Sequence, residues 1–188
     1  LQSTAATFGA VAAGGGCGRR SKPTRPAPTT STPKKRPGAF EAAYLKAERT
    51  GLLKRRVDQL WEVLRSCRLC PRGCGVNRLR GEQGVCRSTA EMVVHSAGPH
   101  FGEERPLVGR SGSGTVFFSA CNLLCCFCQN WEINHRGDGR KVSHEQLAKT
   151  MVALQEKGCH NINVVTPSHV VPHILRALRL AIPMGLTA

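Results

Sequence analysis

The segment Gly112 to Asn130 reads Gly-Ser-Gly-Thr-Val-Phe-Phe-Ser-Ala-Cys-Asn-Leu-Leu-Cys-Cys-Phe-Cys-Gln-Asn. Its first part, Thr115 to Ser119, is a β-branched and aromatic run that predicts a short buried strand. Cys121, Cys125 and Cys128 follow at once, spaced C-x3-C-x2-C. Three thiolates on one short loop suit three irons of a four-iron cluster, which leaves the fourth iron open to a ligand that is not protein. A zinc loop is the alternative for the same thiols. Cys126 fits no ligand spacing and reads as a small buried thiol.

A second cysteine group lies upstream. Cys67, Cys70, Cys74 and Cys86 are spaced C-x2-C-x3-C-x11-C, a set suited to sulfur ligation of zinc or of a second iron–sulfur cluster. Gly73, Gly75, Gly81 and Gly84 permit the sharp turns of such a knuckle. Arg68, Arg72, Arg78 and Arg80 stand among these thiols, either to offset thiolate charge or as ordinary solvated arginines. The chain has ten cysteines, most of them in these two tight groups, which favours metal over a disulfide framework and a reducing compartment over secretion.

Around these groups the pattern is α/β. Leu53, Val57, Leu60, Trp61 and Leu64 recur at three- and four-residue steps, so residues 41–66 are predicted helical, with Gly51 splitting the stretch into two helices. Trp61 reads as a packing anchor, and Arg55, Arg56 and Arg65 as a solvated face. Glu91–Ser96 predicts a strand and 98–109 a loop. Ser143, with Gln146 three residues on, predicts a capping box opening a helix whose stripe is Leu147, Met151 and Leu154 and whose stop is Gly158. Asn161–Thr166 predicts another strand, and Pro167 or Ser168 the start of a last helix, with Thr166 or Ser168 as its cap. His169 and His173 are four apart but have Pro172 between them and no third ligand. Strand, cysteine loop, helix, strand, loop, helix is the order that begins a parallel β/α barrel, where ligands gather at the carboxyl ends of the strands.

The C-x3-C-x2-C loop, with Phe127 before its third cysteine, resembles the signature of the radical S-adenosylmethionine (radical SAM) superfamily. The words Cys-Arg-Leu-Cys-Pro-Arg-Gly-Cys-Gly-Val-Asn-Arg-Leu-Arg-Gly-Glu-Gln-Gly-Val-Cys, with Gly-Ser-Gly-Thr-Val-Phe-Phe-Ser-Ala-Cys further on, resemble the group related to pyruvate formate-lyase activating enzyme. The likeness runs from about Ser66 to Leu180. Ala120 departs from it, because Gly is more usual there. Ala has little effect unless the backbone needs a positive φ. The resemblance implies a [4Fe-4S] cluster on Cys121, Cys125 and Cys128, with S-adenosylmethionine on the open iron. It also implies an electron donor, and reductive cleavage of S-adenosylmethionine to a 5′-deoxyadenosyl radical, for activating or modifying a protein or a small molecule. By the same resemblance Phe127 meets the adenine, and Asn163, Thr166, Ser168 and His169 meet the methionine end, although the usual Gly-Gly-Glu wording is absent.

The expected fold is therefore an incomplete parallel β/α barrel of the radical SAM type over 111–188. It is preceded by a metal-binding segment at 67–110, a helical segment at 41–66 and a disordered basic tail at 1–40. A β/α unit takes roughly 30 residues, so Thr115–Ala188 holds two units, and the expectation is the amino-terminal part of a larger enzyme. The tail holds seven of the 27 Lys and Arg residues and none of the 12 Asp and Glu residues. Its Ala-, Gly-, Ser- and Pro-rich composition suits either a transit peptide for a mitochondrion or plastid or a plain low-complexity segment. The formal charge of +15 raises a rival reading, a non-catalytic zinc module contacting nucleic acid. Charge concentrated in the tail, with only 5% aromatic residues to stack bases, argues against that rival. No apolar run is long enough to span a membrane.

Overall fold

A computed structural model describes residues 41–188. The basic tail or transit peptide expected at 1–40 lies outside the described residues. Two helices, α1 (Ala43–Arg49) and α2 (Leu52–Glu62), open the described chain. Gly51 divides them as expected, with a left-handed φ of 69° that lets the chain reverse between two helical turns. A 3-10 turn, Val63–Ser66, leads from α2 into the first cysteine group.

Among the described residues four strands make one sheet in the order β3-β1-β2-β4. Strand β2 (Ser113–Phe118) is central, and all but half-buried Phe117 is buried. An uninterrupted apolar run suits a strand covered on both faces. Strand β4 (Ile162–Val165) pairs parallel to β2, from Gly114 opposite Ile162 to Phe117 opposite Val165. Helix α4 (His144–Glu156) lies between them in sequence, so β2-α4-β4 is one β/α unit. The other half of the sheet is antiparallel: β1 (Val93–His100) pairs with β2, and the two-residue β3 (Arg140–Lys141) pairs with β1. The sheet is thus open and only partly parallel.

The capping box of α4 forms as its sequence predicts. Ser143 Oγ accepts from the Gln146 backbone N–H, and the Ser143 N–H donates to Gln146 Oε1 at 2.8 Å. Leu147, Met151 and Leu154 join Val116, Phe118, Met92 and Val94 in the core. Gly158, φ 92°, follows the C-cap. Helix α5 (Val171–Ala181) packs against α4 and α2, and Arg179 clamps Glu48 of α1 through three contacts of 2.9–3.1 Å.

Two boundaries differ from the sequence expectation. Strand β1 runs on to His100, where a loop is expected from Gly98, and a single helical turn, α3 (Arg105–Val108), follows it. Pro99 is tolerated because β3 covers β1 only at Val93 and Val94, leaving β1 an edge strand at the proline. Helix α5 begins at Val171, not at Pro167 or Ser168, and neither Thr166 nor Ser168 caps it. Its first-turn proline is Pro172, the second of the two prolines available.

Trp61 anchors α2 as expected. Its ring meets His144 at 5.8 Å and His173 at 5.2 Å edge-on, and the Arg176 guanidinium lies 3.3 Å over its centre. The two imidazoles stack, with His144 Nε2 3.1 Å from His173 Nδ1. Burial, reinforced by His144 and nearby arginines, pulls the His173 pKa down to about 3, and His144 is lowered as well. A histidine held neutral in the folded state binds fewer protons than the unfolded chain, so stability is lost as pH falls. Denaturant unfolding will show full stability above pH 6.5 and a progressive loss from there toward pH 3. His173→Phe will flatten that slope.

Candidate functional site

Both cysteine groups lie at the carboxyl-terminal end of β2. Beyond Phe118 the chain is pinned by Ser119 N–H to Val93 O at 3.0 Å and Ser119 Oγ to Asp138 O at 2.6 Å. The loop then carries Cys121, which is buried, and Cys125 and Cys128, which are half-buried. Two of these sulfurs accept hydrogen bonds: Leu123 N–H reaches Cys121 Sγ at 3.3 Å, and Asn134 Nδ2 reaches Cys128 Sγ at 3.2 Å. Asn134 sits on a π-helical turn (Glu132–Arg136) whose His135 donates from Nε2 to Cys125 O at 3.0 Å. N–H groups directed at sulfur orient a ligand thiol, as they do around metal-bound sulfur.

Cys126, expected to be buried, is exposed. The loop turns it outward together with Leu123 and Phe127, which is 86% exposed. Trp131, stacked on His135 at 5.4 Å, adds a further exposed ring beside the cysteines.

The upstream group closes into a knuckle through Cys67 N–H to Val76 O, Gly75 N–H to Cys67 O and Gly73 N–H to Cys70 O, at 2.9–3.1 Å. Cys67 and Cys86 are buried, Cys70 and Cys74 half-buried. Val85 N–H donates to Cys74 Sγ at 3.5 Å. Gly84 is required beside it, because a Cβ there would stand 2.7 Å from that sulfur. Cys67, Cys70, Cys74 and Cys86 line one small cavity together with Arg78 and His169. As the side chains stand, no group of three or more His, Cys, Asp or Glu residues among those described is arranged to hold a metal ion. The donor chemistry nonetheless suits ligation: four thiols gathered on one cavity, an N–H partner on the sulfur of Cys74 and a cation among them.

That cation is Arg78, which is 1% exposed. Its Nε and Nη2 donate to Thr89 O at 3.0 and 2.6 Å, and its Nη1 to His169 O at 2.7 Å. Among the described residues no carboxylate pairs with it. Of the four arginines that sequence alone left as charge partners or solvated groups, Arg78 is the buried one, while Arg68, Arg72 and Arg80 are exposed.

The knuckle and the cysteine loop touch. Arg72 donates from Nε to Asn122 O at 3.1 Å and from Nη2 to Leu123 O at 3.3 Å. Arg87, directly after Cys86, donates to His135 O. Between them, at the end of β2, lies a cavity of about 350 Å³ lined by Ser119, Ala120, His169, Arg87 and Arg136 among others. That size is in the range of small-molecule sites.

The residues expected to meet a methionine group divide. Thr166 stands at the carboxyl end of β4, φ 55°, its Oγ1 donating to Phe118 O at 2.9 Å. Ser168 is half-buried in the following turn. His169 is 2% exposed and lines both cavities, with Nε2 2.9 Å from Ser119 O. Asn163 lies apart, inside β4 opposite Thr115, with Nδ2 3.3 Å from Glu103 Oε1.

No family model matches the chain, and no solved structure matches it. It is similar to a protein of Methanocaldococcus jannaschii named uncharacterized protein MJ0674, 38% identical over 147 residues. The match takes in 74% of this chain and 41% of that relative, so the chain spans less than half of the relative's length.

Every non-glycine residue with positive φ among those described borders this region: Arg87, Ala120, Leu124 and Thr166. Ala120, φ 68°, is where glycine is more usual in the resembled group, and the backbone does require the left-handed conformation there. A left-handed L-residue costs about 1–2 kcal/mol. Ala120→Gly will therefore raise stability by about 1 kcal/mol in urea unfolding, the flexibility of glycine offsetting part of the relief.

Proposed function

We propose that this chain is the cluster-bearing portion of a radical SAM iron–sulfur enzyme. The observation that carries the reading is a C-x3-C-x2-C loop leaving the carboxyl end of a buried strand, beside a parallel neighbour, with N–H donors on the sulfurs of Cys121 and Cys128. Cys121, Cys125 and Cys128 would hold a [4Fe-4S] cluster with one open iron. When bound, that cluster supplies one-electron reductive cleavage of S-adenosylmethionine to a 5′-deoxyadenosyl radical.

The chain's own residues then have separable tasks. Leu123 N–H and Asn134 Nδ2 donate to the sulfurs of Cys121 and Cys128 and orient them. His135 and Arg72, bonded to loop carbonyls, fix the loop's path. Exposed Phe127 is available to an adenine ring. Thr166 and Ser168 present hydroxyls at the carboxyl end of β4, and Arg87 and Arg136 offer positive charge to a carboxylate in the adjoining cavity. A second metal takes its thiolate ligands from the group Cys67, Cys70, Cys74 and Cys86. Candidate partners are an electron donor and a protein or small-molecule substrate. No helix among the described residues is long and apolar enough to cross a membrane.

The test is anaerobic reconstitution with iron and sulfide, followed by electron paramagnetic resonance of the reduced protein with and without S-adenosylmethionine. The expected result is a four-iron signal that changes when S-adenosylmethionine is added and disappears in Cys121→Ala. Zinc alone, or an iron signal indifferent to S-adenosylmethionine, overturns the reading.

A further inference from the structure

His169 is the group in this region whose chemistry is least accounted for. Its Nε2 lies 2.9 Å from the Ser119 carbonyl, which can only accept, so Nε2 carries the proton. A ring with its one proton on Nε2 is the ligand form of histidine. Nδ1 therefore holds a bare lone pair. That nitrogen is buried and has no hydrogen-bond partner, an arrangement that is costly unless something fills it. His169 lines the same cavity as Cys67, Cys70, Cys74 and Cys86.

We propose that His169 Nδ1 is a ligand of the knuckle metal, and that the centre is a single zinc-class ion held by His169 and three of the four cysteine thiolates. The proposal rests on the reading of this segment as a metal site, but not on the radical reading of the Cys121 loop.

Three further observations support it. A metal-bound histidine characteristically donates its other N–H to a carbonyl or carboxylate, which fixes its tautomer, and Ser119 O supplies that partner. The cavity is about 10 Å³, the room of one water-sized sphere, which suits a single ion. Charge closes as well. Three thiolates, a neutral imidazole and a divalent ion sum to one negative charge, and Arg78 on the cavity wall carries one buried positive charge. Four thiolates would leave a further negative charge to be met from the exposed Arg72 at the cavity rim. Ligation draws the thiols together by side-chain rotation between staggered wells.

The consequence reaches the other cysteine group. His169 bonds the Ser119 carbonyl, two residues before Cys121, so a metal that fixes the imidazole also fixes the start of the Cys121 loop.

The experiment is X-ray absorption at the zinc edge. The sample is the full chain carrying Cys121→Ala, Cys125→Ala and Cys128→Ala, loaded with one equivalent of zinc. The expected first shell is three sulfurs at about 2.3 Å and one nitrogen at about 2.0–2.1 Å. Adding His169→Ala will remove the nitrogen shell and lower zinc affinity at least about tenfold in chelator competition, with circular dichroism reporting whether that variant folds. A four-sulfur shell in the His169 protein overturns the proposal whatever the variant does, and so does failure to take up zinc. Neither readout involves S-adenosylmethionine, so this centre and the radical reading stand or fall separately.

Discussion

A buried guanidinium organises this part of the molecule. Arg78 is shut away from water with three carbonyl contacts and no carboxylate partner among the described residues. Desolvating a charge costs several kcal/mol unless nearby groups of opposite charge compensate it. The thiols of Cys67, Cys70, Cys74 and Cys86 line the same cavity as this guanidinium. At the proposed metal centre, ligated sulfurs across that cavity supply the opposing charge. The same side chain joins Thr89 to His169, so it stitches the cysteine knuckle to the turn after β4.

Much of the scaffold could be read from sequence because its signals are local. The apolar run at 115–119, the Ser143 capping box and the stripe of α4 each need only neighbouring residues, and each forms. Boundaries set by tertiary contact were not legible. Pro99 reads as a loop residue, yet it sits at the one part of β1 that has no partner on that side. Pro167 reads as a helix start. The chain there is instead held in a turn by Thr166 Oγ1 on Phe118 O, a bond between residues far apart in sequence.

The site divides the same way. Cysteine spacing marked both thiol groups, since ligand geometry is written into short intervals. It did not mark which arginine is buried, because Arg68, Arg72, Arg78 and Arg80 are chemically identical and differ only in what folds over them. It did not mark Cys126 as exposed, which follows from the turn of its loop. The contact between the two groups was also hidden. Arg72 on Asn122 and Leu123, Arg87 on His135 and His135 on Cys125 are all bonds to backbone carbonyls, which every residue type offers equally.

The strand order carries a consequence for assembly. One border of the sheet is β3, two residues long and made of Arg140 and Lys141. A short, cationic border strand resists docking of another strand. The opposite border is β4, apolar but for Asn163, flanked by Asn161 and Thr166, and among the described residues paired only on its β2 side. Its outward N–H and C=O groups form a template with a defined direction. The sheet can therefore be extended from β4 and is blocked at β3, and any strand that joins it, from this polypeptide or another, arrives next to the turn that holds Thr166, Ser168 and His169.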